Sequence, residues 1–195
     1  MTCTGDLALK PGSFFLTRQT GNGGRWVAAA QSLVRGASTY THAGIVLDKG
    51  EVLEGLPGGA RISPLSKITN AGPVLVCDRP VREYVASHPY PDSTPAEVDY
   101  WIRQRIVGIA RGAMVGVKYS WLDYAAIAMA EWHVPGWRLV RDRVESSKRL
   151  ICSAMVDRVY AWAGVTLFDD GRLSGDVTPW DLNEYAMGTE RVTSC

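Results

Sequence analysis

The chain has 195 residues and a mass of 21.3 kDa, 46% of it hydrophobic and 21% charged, with a formal net charge of +1. This length suits one compact unit that buries a sizeable core without metal or disulfide staples, and the composition excludes a largely disordered chain. The balance of 21 Lys+Arg against 20 Asp+Glu lacks the cationic surplus that nucleic-acid binding through counterion release requires.

In chain order, Gly12–Thr17 reads as a short buried strand. Arg25–Val34 places Trp26, Ala29, Ala30 and Leu33 on one helical face, with Gly36 as the stop signal. Thr41–Leu47 and Glu51–Glu54 are β-like and joined by Asp48-Lys49-Gly50, and Pro73–Asp78 is a further strand. A Pro-rich loop, Ser87–Pro95, separates this strand-rich half from a helix-rich one. Thr94-Pro95-Ala96-Glu97 is a capping box that opens a helix with Val98, Ile102, Ile106, Ile109 and Ala113 at helical spacing. Trp121–Trp132 is the most apolar run, but Asp123 interrupts it and it is too short to span a bilayer. A helix beginning near Ile151 carries Met155, Val156, Val159 and Ala163 along one side, and Thr178-Pro179-Trp180-Asp181 opens a short terminal helix.

Two turn geometries fit the segment from Tyr40 to Glu54. A two-residue turn at Lys49-Gly50 puts His42 and Glu54 on opposite faces. A three-residue loop, Asp48-Lys49-Gly50, pairs Leu47 with Glu51 and Gly44 with Glu54, so His42 and Glu54 share a face. The second is the better on turn chemistry, with a type I turn followed by Gly50 in the left-handed region. His42 can then give one ring nitrogen to Glu54 and keep the other as a base. A surface hairpin whose His and Glu face water fits the same spacing.

The four cysteines, Cys3, Cys77, Cys152 and Cys195, are scattered, with no Cys-x-x-Cys pair, and point to reduced thiols. His42, His88 and His133 are equally isolated, so no zinc-ligand spacing exists and no metal or cofactor is expected. His88 and His133 lie in loop-like sequence. Cys152 stands at the start of the amphipathic helix, in line with Val156, Val159 and Ala163. A helix N-terminus and a nearby imidazolium both favour a thiolate, whereas a buried structural cysteine fits the same position.

Thr41-His42-Ala43-Gly44-Ile45-Val46, an acid twelve positions after the His, and Ile151-Cys152-Ser153 opening a helix together resemble the NlpC/p60 superfamily of papain-like cysteine hydrolases. The order His, acid, Cys is similar to its circularly permuted branch (YiiX-like and lecithin-retinol-acyltransferase-like proteins). Leu9–Leu16 resembles that family's opening strand, Gly116-Val117-Lys118-Tyr119 its Gly-x-x-Tyr segment, and Thr178-Pro179-Trp180-Asp181-Leu182 its Thr-Pro-x-x-Leu tail. Two positions depart from the family pattern. Gly12-Ser13 stands where the opening strand carries Gly-Asp, and Glu54 where the acyltransferase-like members carry a second His. The Trp-rich segment from Trp121 to Trp137 has no counterpart.

The resemblance implies an α+β, papain-like fold of the permuted NlpC type, spanning residues 1–195 as a single hydrolase domain. An antiparallel sheet packs against helices, with the cysteine at a helix N-terminus. It implies Cys152 as nucleophile, His42 as general base and acid, Glu54 as the acid that orients the imidazole, and Tyr119 as a substrate-binding or oxyanion candidate. The implied substrate is a peptide amide such as those of bacterial cell-wall peptides, with no cofactor, no nucleic acid and no integral membrane segment. A thioesterase or acyl-group hydrolase could use the same three residues, and an inactive binding module could keep the fold. Met1 is not followed by an apolar stretch of signal-peptide length, so a cytoplasmic product is expected. Delivery by a bacteriophage or a dedicated export route would bring such an enzyme to the wall.

Overall fold

A computed structural model describes residues 9–18, 40–56, 58–119, 149–150 and 152–188, with the backbone alone for Tyr119, Arg149 and Leu150. The expected helix at 25–34, the Trp121–Trp137 segment and His133 lie outside the described residues, as do Cys3 and Cys195.

The architecture is α+β. Five strands form an antiparallel sheet: β1 (Phe14–Thr17), β2 (His42–Val46), β3 (Glu51–Leu56), β4 (Gly59–Pro64) and β5 (Val74–Cys77), in the spatial order β4-β3-β2-β1-β5. Between β4 and β5 runs the short helix α1 (Leu65–Thr69), and after β5 come α2 (Arg79–Ser87) and α3 (Pro95–Ile109). A single π-helical stretch, Ala110–Met114, extends α3. The two-residue strands β6 (Lys118–Tyr119) and β7 (Arg149–Leu150) pair in parallel, and β7 leads directly to α4 (Cys152–Ala163). A 3₁₀ turn at Ser174–Asp176 and helix α5 (Pro179–Met187) complete the described chain. No helix among the described residues is long and apolar enough to cross a membrane.

The sheet is covered on both faces, because alternate side chains of its central strands are apolar in both directions. Phe14, Leu16, Ala43, Ile45 and Leu53 belong to a large core with Ile102 and Ile106 of α3, Met155, Val156, Val159 and Tyr160 of α4, and Leu182 and Tyr185 of α5. Each fully buried Leu, Ile or Phe there contributes about 1.5–3 kcal/mol relative to exposure. The alternate residues Phe15, Val46 and Val52 form a smaller core with Ile68 of α1. The capping box expected at Thr94 is present, and the helix entry expected at Thr178 is a capping box as well. Thr94 accepts from Glu97 N–H and Thr178 from Asp181 N–H, and the acid side chain reaches back in each case.

Three local departures from the sequence reading have physical causes. The β2–β3 hairpin has the three-residue register, with Leu47 N–H donating to Glu51 O at 2.8 Å and Gly44 opposite Glu54. Its turn, however, places Lys49 as well as Gly50 in the left-handed region (φ 57° and 69°), and Glu51 N–H closes onto Asp48 O. Further on, Ala113 is exposed while Ala110 and Met114 are buried, because each residue of the wider π-helical turn rotates less than in an α-helix and so brings Met114, not Ala113, onto the face of Ile106. Finally, Ser87 closes α2 rather than opening a loop, and exposed His88 caps that helix with its ring stacked on Tyr84 at 4.2 Å.

Candidate active site

His42 is the first residue of β2, and Glu54 lies near the end of β3. The hairpin register puts Gly44 opposite Glu54, so His42 and Glu54 fall on the same face two positions apart. His42 Nε2 lies 3.3 Å from Glu54 Oε2, with the two side chains 3% and 2% exposed. Gly44 makes this crowding feasible: a Cβ there would fall 2.4 Å from Leu53 O and 2.5 Å from Phe15 Cζ. The Phe15 ring, in the neighbouring row, meets the His42 ring edge-on at 6.3 Å between centroids.

Cys152, the first residue of α4, is 1% exposed and hydrogen-bonds through its side chain with His42. Several contacts fix this helix. Gly55 of β3 lets it approach, since a Cβ on Gly55 would lie 3.3 Å from Cys152 Cα. Ser153 Oγ donates to Val177 O at 2.6 Å, and the buried Tyr160 hydroxyl donates to Gly12 O at 2.6 Å. The thiol therefore stands where the partial positive charge of a 12-residue helix is strongest.

The electrostatics of the three groups are coupled. Burial works against a charged His42 ring, but hydrogen bonds to Cys152 and Glu54 and their negative charges outweigh it, and its pKa is raised from 6.5 to about 9. Burial likewise works against an ionised Glu54, yet hydrogen bonds from His42, Lys67 and Ser63 prevail and lower its pKa from 4.5 to about 2. Ser63 Oγ and Lys67 Nζ each donate to Glu54 Oε1 at 2.5 Å, and Arg61 Nε lies 3.9 Å from the same oxygen.

Of the residues singled out from the sequence, Cys152, His42 and Glu54 come together from three elements. Tyr119 has its backbone in β6, paired with Leu150 two residues before the cysteine, and its side chain lies outside the described residues. His88 is on the surface beside Tyr84 and Ser87. Arg61, Ser63 and Lys67 were missed. A signal existed, because Pro57-Gly58-Gly59 is a turn sequence that would return a strand alongside β3 with Arg61 opposite Glu54. Among the described residues no cluster of three or more His, Cys, Asp or Glu side chains could hold a metal ion.

No family model matches the chain, and neither the curated proteins nor the solved structures contain a match.

Proposed function

We propose that the chain is a cysteine hydrolase of the permuted papain-like kind, using Cys152, His42 and Glu54 to cleave an amide bond. The observation that carries this reading is the closed Cys152–His42–Glu54 chain at a helix N-terminus, in which His42 holds its proton well above its ordinary range. A buried cysteine packed only for volume has no need of an imidazole tied to an ionised carboxylate. The sequence resemblance to permuted NlpC/p60 hydrolases agrees with the order of the three residues and with the cysteine opening a helix.

With Nε2 turned to Glu54, Nδ1 is the nitrogen that serves the thiol. The Cys152 thiolate attacks the carbonyl carbon of the substrate, and the carbonyl electrons move onto oxygen. The Cys152 backbone N–H, in the first turn of α4, is suited to stabilise that oxyanion, and the Tyr119 hydroxyl is a second candidate donor. His42 gives its proton to the leaving amine as the C–N bond breaks, leaving a thioester. Neutral His42 then takes a proton from water, the hydroxide adds to the thioester, and the acid product leaves with Cys152 again a thiolate beside imidazolium. Glu54 holds the ring in orientation throughout and remains ionised.

The substrate class proposed is a peptide, with bacterial cell-wall peptides as the first choice. Incubation with purified cell-wall peptides and, in parallel, with short-chain acyl thioesters tests this against a Cys152→Ala control. Amide cleavage that vanishes in Cys152→Ala is the expected result. Turnover of thioesters alone would replace the amidase with an acyl-group hydrolase. Wild-type turnover that Cys152→Ala retains would overturn the assignment.

A further inference from the structure

The triad reading, on which this inference rests, requires Glu54 to be ionised and aimed at His42. Its surroundings oppose this, because the side chain is 2% exposed and burial favours the neutral acid. The charged and polar groups facing it are His42 from β2, Arg61 and Ser63 from β4, and Lys67 from α1; across β2, β1 and β5 its own row of the sheet continues with Gly44, Phe15 and Val76, none of them titratable. Arg61 stands 3.9 Å away and is 58% exposed, a screened and loosely held pair. Lys67 and Ser63 both donate at 2.5 Å to Oε1, the oxygen that His42 does not use. Lys67 is also delivered by a fixed element. The preceding Leu65 N–H bonds Gly50 O at 2.9 Å, and the following Ile68 is buried in the smaller core.

We propose that Lys67, assisted by Ser63, is a positioning residue that holds Glu54 ionised and turned toward His42, and thereby sets the lower pH limit at which Cys152 is activated. The carboxylate that orients the imidazole is thus itself oriented from behind, by a cation reaching it from the solvent side. Loss of the Lys67 ammonium leaves burial as the stronger influence, and Glu54 takes up a proton in the weakly acidic range. His42 then loses its anionic partner, and the thiolate beside it is reprotonated at a higher pH than in the wild type. A Lys→Arg change keeps the charge and preserves the limit.

The test needs no substrate. The rate of Cys152 alkylation by iodoacetamide is followed from pH 3 to pH 8 in the wild type, Lys67→Met and Lys67→Arg, with thermal melting of each as a check on folding. The acid limb of Lys67→Met is expected to move up by about one pH unit or more while its plateau rate is kept, and Lys67→Arg is expected to restore the wild-type limb. A Lys67→Met profile superimposed on the wild type, or lowered by one factor at every pH, overturns the inference and leaves the triad standing. Slow, His42-independent labelling of the wild type overturns the triad reading and this inference together.

Discussion

The two faces of the five-stranded sheet bury their side chains on different terms. On one, Phe14, Leu16, Ile45 and Leu53 meet α3, α4 and α5 in a continuous apolar core. On the other, Phe15, Val46 and Val52 meet one five-residue helix, and His42, Glu54 and Ser63 are buried beside them. The first face needs only volume and apolarity, which many side chains supply. The second carries charge out of water and stays favourable only while each charged group keeps its partners. Stability is therefore concentrated on the apolar face, from whose large core Cys152 reaches the site, whereas His42 and Glu54 lie on the face where a single lost hydrogen bond has consequences.

Substitutions can separate the two faces. The largest effect is expected from Phe14→Ala, which empties a fully buried site against Tyr160 and Tyr185. It should cost about 3–5 kcal/mol in urea unfolding while leaving the pH profile of Cys152 labelling in place. A profile that moves with this change would mean that the faces are not independent. Gly55→Ala is expected to cost less, about 1–2 kcal/mol, because the new methyl meets the Cys152 backbone at 3.3 Å and displaces the helix end slightly. Its larger effect is on chemistry, with Cys152 labelling slowed about tenfold. Unchanged labelling would show that the approach of α4 to β3 does not position the thiol.

The last comparison concerns the pH dependence of stability. His42 is raised from 6.5 to about 9, so its contribution is complete below pH 6.5 and is lost as pH rises through about 9. Glu54 is lowered from 4.5 to about 2, so its contribution is complete above pH 4.5 and is lost as pH falls toward about 2. Unfolding midpoints should therefore be level between pH 4.5 and 6.5 and decline on either side. His42→Ala should flatten the alkaline decline. An alkaline decline unaltered by His42→Ala would remove the imidazolium from the account.

Much of the apolar face was legible in the sequence, because it is written in periodicity and caps. The strands at Phe14, His42, Glu51 and Val74, the capping box at Thr94, the helix entry at Thr178 and the buried side of α4 all rest on local signals. What escaped was short or irregular. Gly59–Pro64 mixes Gly, Ala, Arg and Pro at a sheet edge, α1 has five residues, and Pro80 obscures the start of α2. The π-helical stretch has no periodic signature of its own. On the polar face, the pairing of His42 with Glu54 was legible because loop length fixes register, even though Lys49 adopts a conformation that the turn reading did not include. The meeting of Cys152 with His42 is long-range, and only a resemblance between patterns pointed to it. Ser63 and Lys67 escaped because the strand that carries the first and leads to the second went unread.

The most direct measurement uses the two buried cysteines as each other's control. Both belong to the large core, Cys77 0% and Cys152 1% exposed, so accessibility does not distinguish them. In native protein at pH 6, iodoacetamide labelling followed by peptide mass spectrometry should find Cys152 reacting on the order of 100-fold faster than Cys77. His42→Ala should bring Cys152 down to the Cys77 rate. Equal, slow labelling of both thiols in the wild type, or a Cys152 rate indifferent to His42→Ala, would contradict the claim that these residues form a working pair.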